Sequence, residues 1–227
     1  MINYKNLTII GTSHIAIQSI KEVEAVLLKK RPQIVALELD KRRFIALNKD
    51  LKGKIRFSDI KKFGFKIWLL NAVGAWLERK LGKLVGTPPG SEMKKAIEIS
   101  NKIKAEIVLI DQDIGITLKK LSKAITQREK FRFLADIFKG VFSKKEVVKF
   151  DLRKVPDKKT IDSLIKKVKK RYPSFYKILI KERDTIMAKN IYNTMINDNN
   201  KKIVVIVGAG HEYSIINLIK EYGKNTI

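Results

Sequence analysis

The stretch from Leu7 to Asp40, LTIIGTSHIAIQSIKEVEAVLLKKRPQIVALELD, decides the fold of this chain. It opens with an apolar, β-branched run, Leu7–Ile10, and closes with a second, Ile34–Leu37, both reading as buried strands. Between them Ile20, Val23, Val26 and Leu27 supply the apolar stripe of a helix, and Ser19 with Glu22 three residues on predicts a capping box at its start. Strand, helix and strand in about thirty residues form a βαβ unit, so the two strands run parallel.

Two further apolar runs, Ile107–Ile110 and Ile203–Val207, extend the pattern to four strands. A helix over 91–104 with Met93, Ala96, Ile97 and Ile103 on one face precedes the third strand, and a helix over 213–221 follows the fourth. The expected fold class is α/β: a central, mostly parallel sheet flanked by helices, in one domain spanning 1–227. Residues 118–197 show no strand signal and read as a helical insertion before the last strand, with Thr160 capping one helix and Pro173 starting another.

The chain has only two histidines in 227 residues, and each stands three residues after a glycine that ends an apolar run. The segments are Leu7-Thr-Ile-Ile-Gly11-Thr-Ser-His14 and Val204-Val-Ile-Val-Gly208-Ala-Gly-His211. Ligands of open α/β sheets gather at the carboxyl ends of the strands. Here each strand delivers a titratable group to that edge: His14 after the first, Glu38 and Asp40 after the second, Asp111 and Asp113 after the third, His211 after the fourth. Two imidazoles and a carboxylate, His14, His211 and Glu38, form a set that holds a divalent zinc, manganese, iron or cobalt ion while leaving positions open. Such a set suits hydrolysis of a carbonyl or phosphoryl centre with a carboxylate as base. Asp40 and Asp113 read equally well as helix caps. Asp184 falls on the apolar stripe Ile180, Met187, Ala188, Ile191 and Met195, so it points inward and needs an arginine, a capped backbone or a metal, with Arg43 and Arg183 as candidate partners. Gly208-Ala-Gly210 lacks the spacing of a dinucleotide or P-loop motif.

With no cysteine, disulfides, thiolate metal sites and cysteine nucleophiles are excluded. Forty-nine Lys and Arg against 23 Asp and Glu give a formal charge of +26, thickened as lysine doublets between Lys119 and Arg183. Such a field attracts nucleic acid, anionic lipid headgroups or acidic substrates, but it is also what solvated helix faces carry, and no aromatic pattern of the nucleic-acid type accompanies it. No eighteen-residue apolar stretch occurs, and residues 1–10 do not read as a signal peptide. Phe63–Leu77, with Trp68 and Trp76, is expected to be a helix that packs inside the domain, forms a homodimer face or touches a membrane.

These motifs resemble the TraB (pheromone-shutdown) family, which groups with the Tiki and GumN-like proteins. The matching segments, in family order, are Gly11-Thr-Ser-His14, Glu38-Leu-Asp-Lys-Arg-Arg43, Pro89-Gly-Ser-Glu92, Ile110-Asp-Gln-Asp-Ile114 with Thr117-Leu118, Glu182-Arg-Asp184 and Gly208-Ala-Gly-His211. The resemblance implies an α/β fold with a helical insertion, in which His14, Glu38, Arg43, Glu92, Asp111, Glu182, Arg183, Asp184 and His211 line one cleft. It implies a metal-dependent hydrolase, since Tiki members are described as proteases using the GxxH histidines and a glutamate. A divalent metal is then the cofactor and a peptide or protein the substrate. Glu92, Glu182 or Asp184 would be the base, and Arg43 or Arg183 would bind a substrate carboxylate or oxyanion. A non-catalytic module that binds peptides or regulates a membrane partner is the alternative. Gln112 departs from the arginine that family members often carry. Archaeal-type relatives commonly continue into membrane helices, so a cytoplasmic protein, or the cytoplasm-facing soluble domain of a membrane protein, is expected.

Overall fold

The computed structural model describes residues 1–13, 17–48, 88, 90–142 and 156–224. Five strands, β1 (Ile2–Tyr4), β2 (Leu7–Thr12), β3 (Ile34–Leu37), β4 (Glu106–Leu109) and β5 (Ile203–Gly208), form one sheet in the order β1-β2-β5-β3-β4. All neighbours are parallel except the β1–β2 hairpin. The fold is therefore α/β with a mostly parallel sheet. β2 and β3 are parallel, as the βαβ reading requires, but β5 lies between them and pairs with both. All six residues of β5 are buried, the pattern of a strand covered on both faces.

Helices α1 (Ile17–Lys30), α2 (Lys41–Asn48), α3 (Ser91–Lys102), α4 (Ile114–Ala124), α5 (Gln127–Phe142), α6 (Lys158–Arg171), α7 (Glu182–Asn197) and α8 (Glu212–Lys224) complete the described elements, with a short turn at Pro173–Phe175 and a π-helical stretch at Tyr176–Lys181 before α7. Alternation along the strands splits the core in two. Leu7, Ile9, Ala36, Val205 and Val207 meet Met187, Ile191 and Ile215 of α7 and α8 on one face. Ile10, Val35, Leu37, Val204 and Ile206 meet Val23 and Leu27 of α1 and Met93 and Ala96 of α3 on the other. Between β4 and β5 the described residues are helical, and α7, the last of these helices, packs directly on the sheet.

Three local details differ from the sequence reading. The β1 strand is an addition: Lys5, at φ 50°, lies in a tight turn, and Asn6 Nδ2 ties that turn to the carbonyls of Asp198 and Lys201 at 3.2 and 3.0 Å. Helix α1 begins at Ile17, so Ser19 lies inside its first turn, and its Oγ accepts from the backbone N–H of Ser13 at 2.9 Å. Asp157, not Thr160, caps α6: its carboxylate accepts from Thr160 N at 2.8 Å, and a charged acceptor suits a helix N-terminus better than a hydroxyl. The Phe63–Leu77 segment lies outside the described residues.

Met187 has no exposed surface and sits between α7 and the sheet. Met187→Ala is expected to cost about 2–5 kcal/mol in denaturant unfolding, since the rigid sheet beneath it cannot collapse into the void.

Candidate functional site

The carboxyl ends of β3, β4 and β5 converge with the start of α7 on one charged cluster. Asp111, just past β4, is its hub. Arg183 grips it in a forked pair, Nε to Oδ1 at 3.0 Å and Nη2 to Oδ2 at 2.7 Å. Arg43 of α2 donates to the same Oδ2 at 2.6 Å, and to the Glu38 carbonyl at 3.2 Å. Planar guanidinium forks on a carboxylate are the strong, geometrically selective kind of ion pair.

Glu38, which immediately follows β3, uses both oxygens. Oε1 accepts from Arg183 Nη2, and Oε2 accepts from the backbone N–H of Gly208 at 2.6 Å. That bond locks the end of β3 to the turn that carries His211. In this turn His211 N donates to the Gly208 carbonyl at 2.8 Å, and the His211 carbonyl accepts the first bond of α8 from Ile215 N. The imidazole is held from α7: Nδ1 lies 2.5 Å from Asp184 Oδ1, leaving Nε2 to face Glu38 Oε1 at 3.7 Å. The buried Asp184 thus takes the histidine as its partner, and the two arginines go to Asp111 and Glu38. A protonated imidazole or an Nδ1–H tautomer satisfies this carboxylate as well as a guanidinium would.

Local backbone explains how Arg183 and Asp184 reach these positions. Ahead of them, in the π-helical stretch Tyr176–Lys181, the N–H of Glu182 reaches back five residues to the Lys177 carbonyl. Such a turn takes in an extra residue and resets the phase of the helix that follows. Arg183 Nη1 donates to the Leu179 carbonyl at 3.2 Å, within the same stretch. Asn190, two turns further along α7, donates to the Ile110 carbonyl at 2.9 Å and fixes the end of β4.

The electrostatics are lopsided. Four carboxylates, Glu38, Asp40, Asp111 and Asp184, each 2–3% exposed at the side chain or residue, face two guanidiniums. Among the described residues, and with a neutral imidazole, these six charged side chains sum to −2. For His211, burial pushes the pKa down, but the charge of Glu38 and the bond and charge of Asp184 outweigh it, so the imidazole titrates above its ordinary value despite opposition from Arg183. Burial likewise works against the Arg183 cation, yet Asp111 and Glu38 raise its pKa.

The cluster thus unites Glu38, Arg43, Asp111, Arg183, Asp184 and His211. Asp40 and Asp113 serve as caps: Asp40 Oδ1 accepts from Arg42 N and Arg43 N at 2.8 and 3.0 Å, and Asp113 Oδ1 from Gly115 N at 2.7 Å. Glu182 pairs with Lys120 at 2.8 Å near the surface. Glu92 is buried in the first turn of α3, the helix of the opposite layer. Gln112 donates from Nε2 to Thr117 Oγ1 at 2.7 Å. His14 lies outside the described residues, and among those described no three His, Cys, Asp or Glu side chains form a metal-binding group.

One residue of the site region went unread in the sequence. Glu212, next to His211, is 7% exposed, and its carboxylate packs against Gly11 of the first GxxH segment. A Cβ at position 11 would stand 2.6 Å from Glu212 Oε2 and 3.1 Å from the Ala209 Cα. The glycine is needed because the second histidine turn leans directly on it. An acid at a helix start ordinarily reads as an N-terminal charge, which hides this role.

A family model described as the TraB/PrgY/gumN family matches residues 2–225. An uncharacterized protein of Methanocaldococcus jannaschii is 35% identical over 222 residues, covering 97% of this chain and 55% of its own length. A TraB domain-containing protein of Homo sapiens is 19% identical over 227 residues, covering 89% of this chain and 60% of its own length, and a mouse protein of the same name matches equally. The chain therefore spans little more than half the length of these relatives.

Asp111→Ala strands two guanidiniums in a buried site and is expected to cost about 3–5 kcal/mol in urea unfolding. Asp113→Ala, at a cap whose side chain is 32% exposed, is expected to cost about 1 kcal/mol. Because the folded-state pKa of His211 is raised, its protonation stabilises the fold fully below the unfolded value of about 6.5, and that contribution is lost as pH rises through the raised value. The stability gap between the native chain and His211→Gln, measured by urea unfolding in chelator-containing buffer, should accordingly be widest below that pH and narrow above it.

Proposed function

Given that this chain belongs to the TraB/PrgY/gumN family, we propose that it is a divalent-metal-dependent hydrolase acting on peptide bonds, with His211, Glu38 and His14 as the metal-holding set. One observation carries the reading: His211 Nε2 faces Glu38 Oε1 at 3.7 Å while Nδ1 is taken by Asp184. Two donor atoms each about 2.0–2.2 Å from one ion can stand at such a separation. A carboxylate on the far ring nitrogen is the usual outer support of a metal-bound histidine. When bound, the ion would polarise a carbonyl and lower the pKa of a water molecule.

In this reading the chain's own groups divide the remaining work. Asp184 is a positioning residue that fixes the tautomer and tilt of His211. Arg183, its side chain 14% exposed, holds Glu38 and Asp111 in place. Arg43, with 37% of its side chain exposed, is the guanidinium at the rim that meets a substrate carboxylate or oxyanion. Of the three carboxylates considered as general base, Asp184 is engaged by His211 and Glu182 by Lys120. Glu92, buried at the start of α3, is the third candidate, and the family resemblance assigns it to the same cleft.

The second reading, a peptide-binding or regulatory module without turnover, is favoured by one fact: Arg183 and the Gly208 N–H already occupy both oxygens of Glu38. Elemental analysis after equal metal loading separates the two. The hydrolase reading expects about one divalent ion per chain and none in a His14→Ala/His211→Ala variant, with metal-stimulated cleavage of a peptide library by the native chain. Histidine-independent metal content without cleavage would overturn it in favour of the binding module.

A further inference from the structure

Helix α6 has the sequence KKTIDSLIKKVKKR, seven cations and one carboxylate in fourteen residues. Its Ile161, Ile165 and Val168 are partly covered, while Lys159, Lys166, Lys167 and Lys170 point outward and, with Asp162 and Ser163, line a shallow surface depression. These four lysines recur at the seven-, eight- and eleven-residue spacings that keep side chains on one face of a helix. Arg171 is occupied elsewhere, in a forked pair with Asp136. Among the described residues no carboxylate pairs with the four lysines.

The chain offers little to neutralise them. Its charge is +26, and the acidic residues at the sheet edge, Glu38, Asp40, Asp111 and Asp113, are engaged there. A surplus this large suits a complement from outside the chain. Position adds a second point. The inner side of α6 rests on the histidine turn: Ile165 Cδ1 lies 3.9 Å from where a Cβ on Gly210 would stand, and Lys158 Nζ sits 4.2 Å from the Tyr213 ring centroid.

We propose that the outer face of α6 docks on an anionic lipid surface, setting the Gly208–His211 turn beside the membrane. The composition of the face favours lipid headgroups over nucleic acid. Its cations are lysines, point charges on flexible apolar stems that suit a plane of phosphates. It carries no arginine fork, amide or ring to read or stack on bases. Leu164, 39% exposed at the edge of the stripe, adds an apolar group at the level of the lysine stems.

The test is co-sedimentation of the full chain with phosphatidylcholine vesicles, with and without phosphatidylserine. Binding should require phosphatidylserine, fall steeply as sodium chloride rises, and weaken about a hundredfold or more in Lys166→Glu/Lys167→Glu/Lys170→Glu. The milder Lys166→Gln/Lys167→Gln/Lys170→Gln should show the same direction, with circular dichroism reporting intact folding. Reversal of three exposed lysines elsewhere, Lys21→Glu/Lys29→Glu/Lys189→Glu, should have a much smaller effect. Vesicle binding should be unchanged by added chelator, so this test stands apart from that of the metal site. Equal losses in the two reversal variants, equal binding to neutral vesicles, or release of the bound protein by short duplex DNA at matched phosphate concentration would each overturn the proposal.

Discussion

The two-pronged grip of Arg183 on Asp111 and Glu38 is the constraint on which the rest of the sheet edge depends. It joins α7 to the ends of β3 and β4, and through the second oxygen of Glu38 it reaches the backbone of β5. Charges this deeply buried are tolerable only while every member is engaged. The network therefore ties three strands and one helix to a single geometry. A small displacement of α7 would leave several groups unsatisfied together, and His211, held through Asp184, is carried by the same helix.

The backbone cooperates in two places where regular geometry would fail. A continuous α-helix from Pro173 would present Arg183 and Asp184 at a different angle, and the π-helical stretch supplies the correction. On the other side, Gly11 lets Glu212 lie flat against β2, bringing the start of α8 close to the first GxxH segment. The two histidine segments are thus neighbours in space because β2 and β5 are paired along their whole length.

Much of this was legible in the residues. The apolar runs gave the parallel strands because a strand buried on both faces leaves no alternation to misread. Their ends gave the acidic and basic groups because a charge closing such a run has few inexpensive places to go. Asp184 showed itself by lying on an apolar helical stripe, but its partner did not, since spacing along the chain cannot choose between two arginines and a histidine brought in by the fold. Ser19 and Thr160 resemble caps by type, yet the helices begin elsewhere because an aspartate or an earlier turn competes for the same backbone. The strand Ile2–Tyr4 carries too few apolar residues to announce itself and exists through its hairpin with β2. The place of β5 between β2 and β3 is a tertiary outcome that a local pattern does not encode.

That placement has a consequence for how the molecule is made. The central strand is the last of the five in chain order, and β2 and β3 have no direct ladder with each other: both pair through β5. Until residues 203–208 emerge, β2 and β3 lack the strand that pairs with both of them. Pairing that spans nearly two hundred residues closes slowly, because the entropy of bringing distant segments together is spent before any contact rewards it. The charged edge can assemble only once β5 has been made, so the partly built sheet should persist as an intermediate that depends on its surroundings to stay unaggregated.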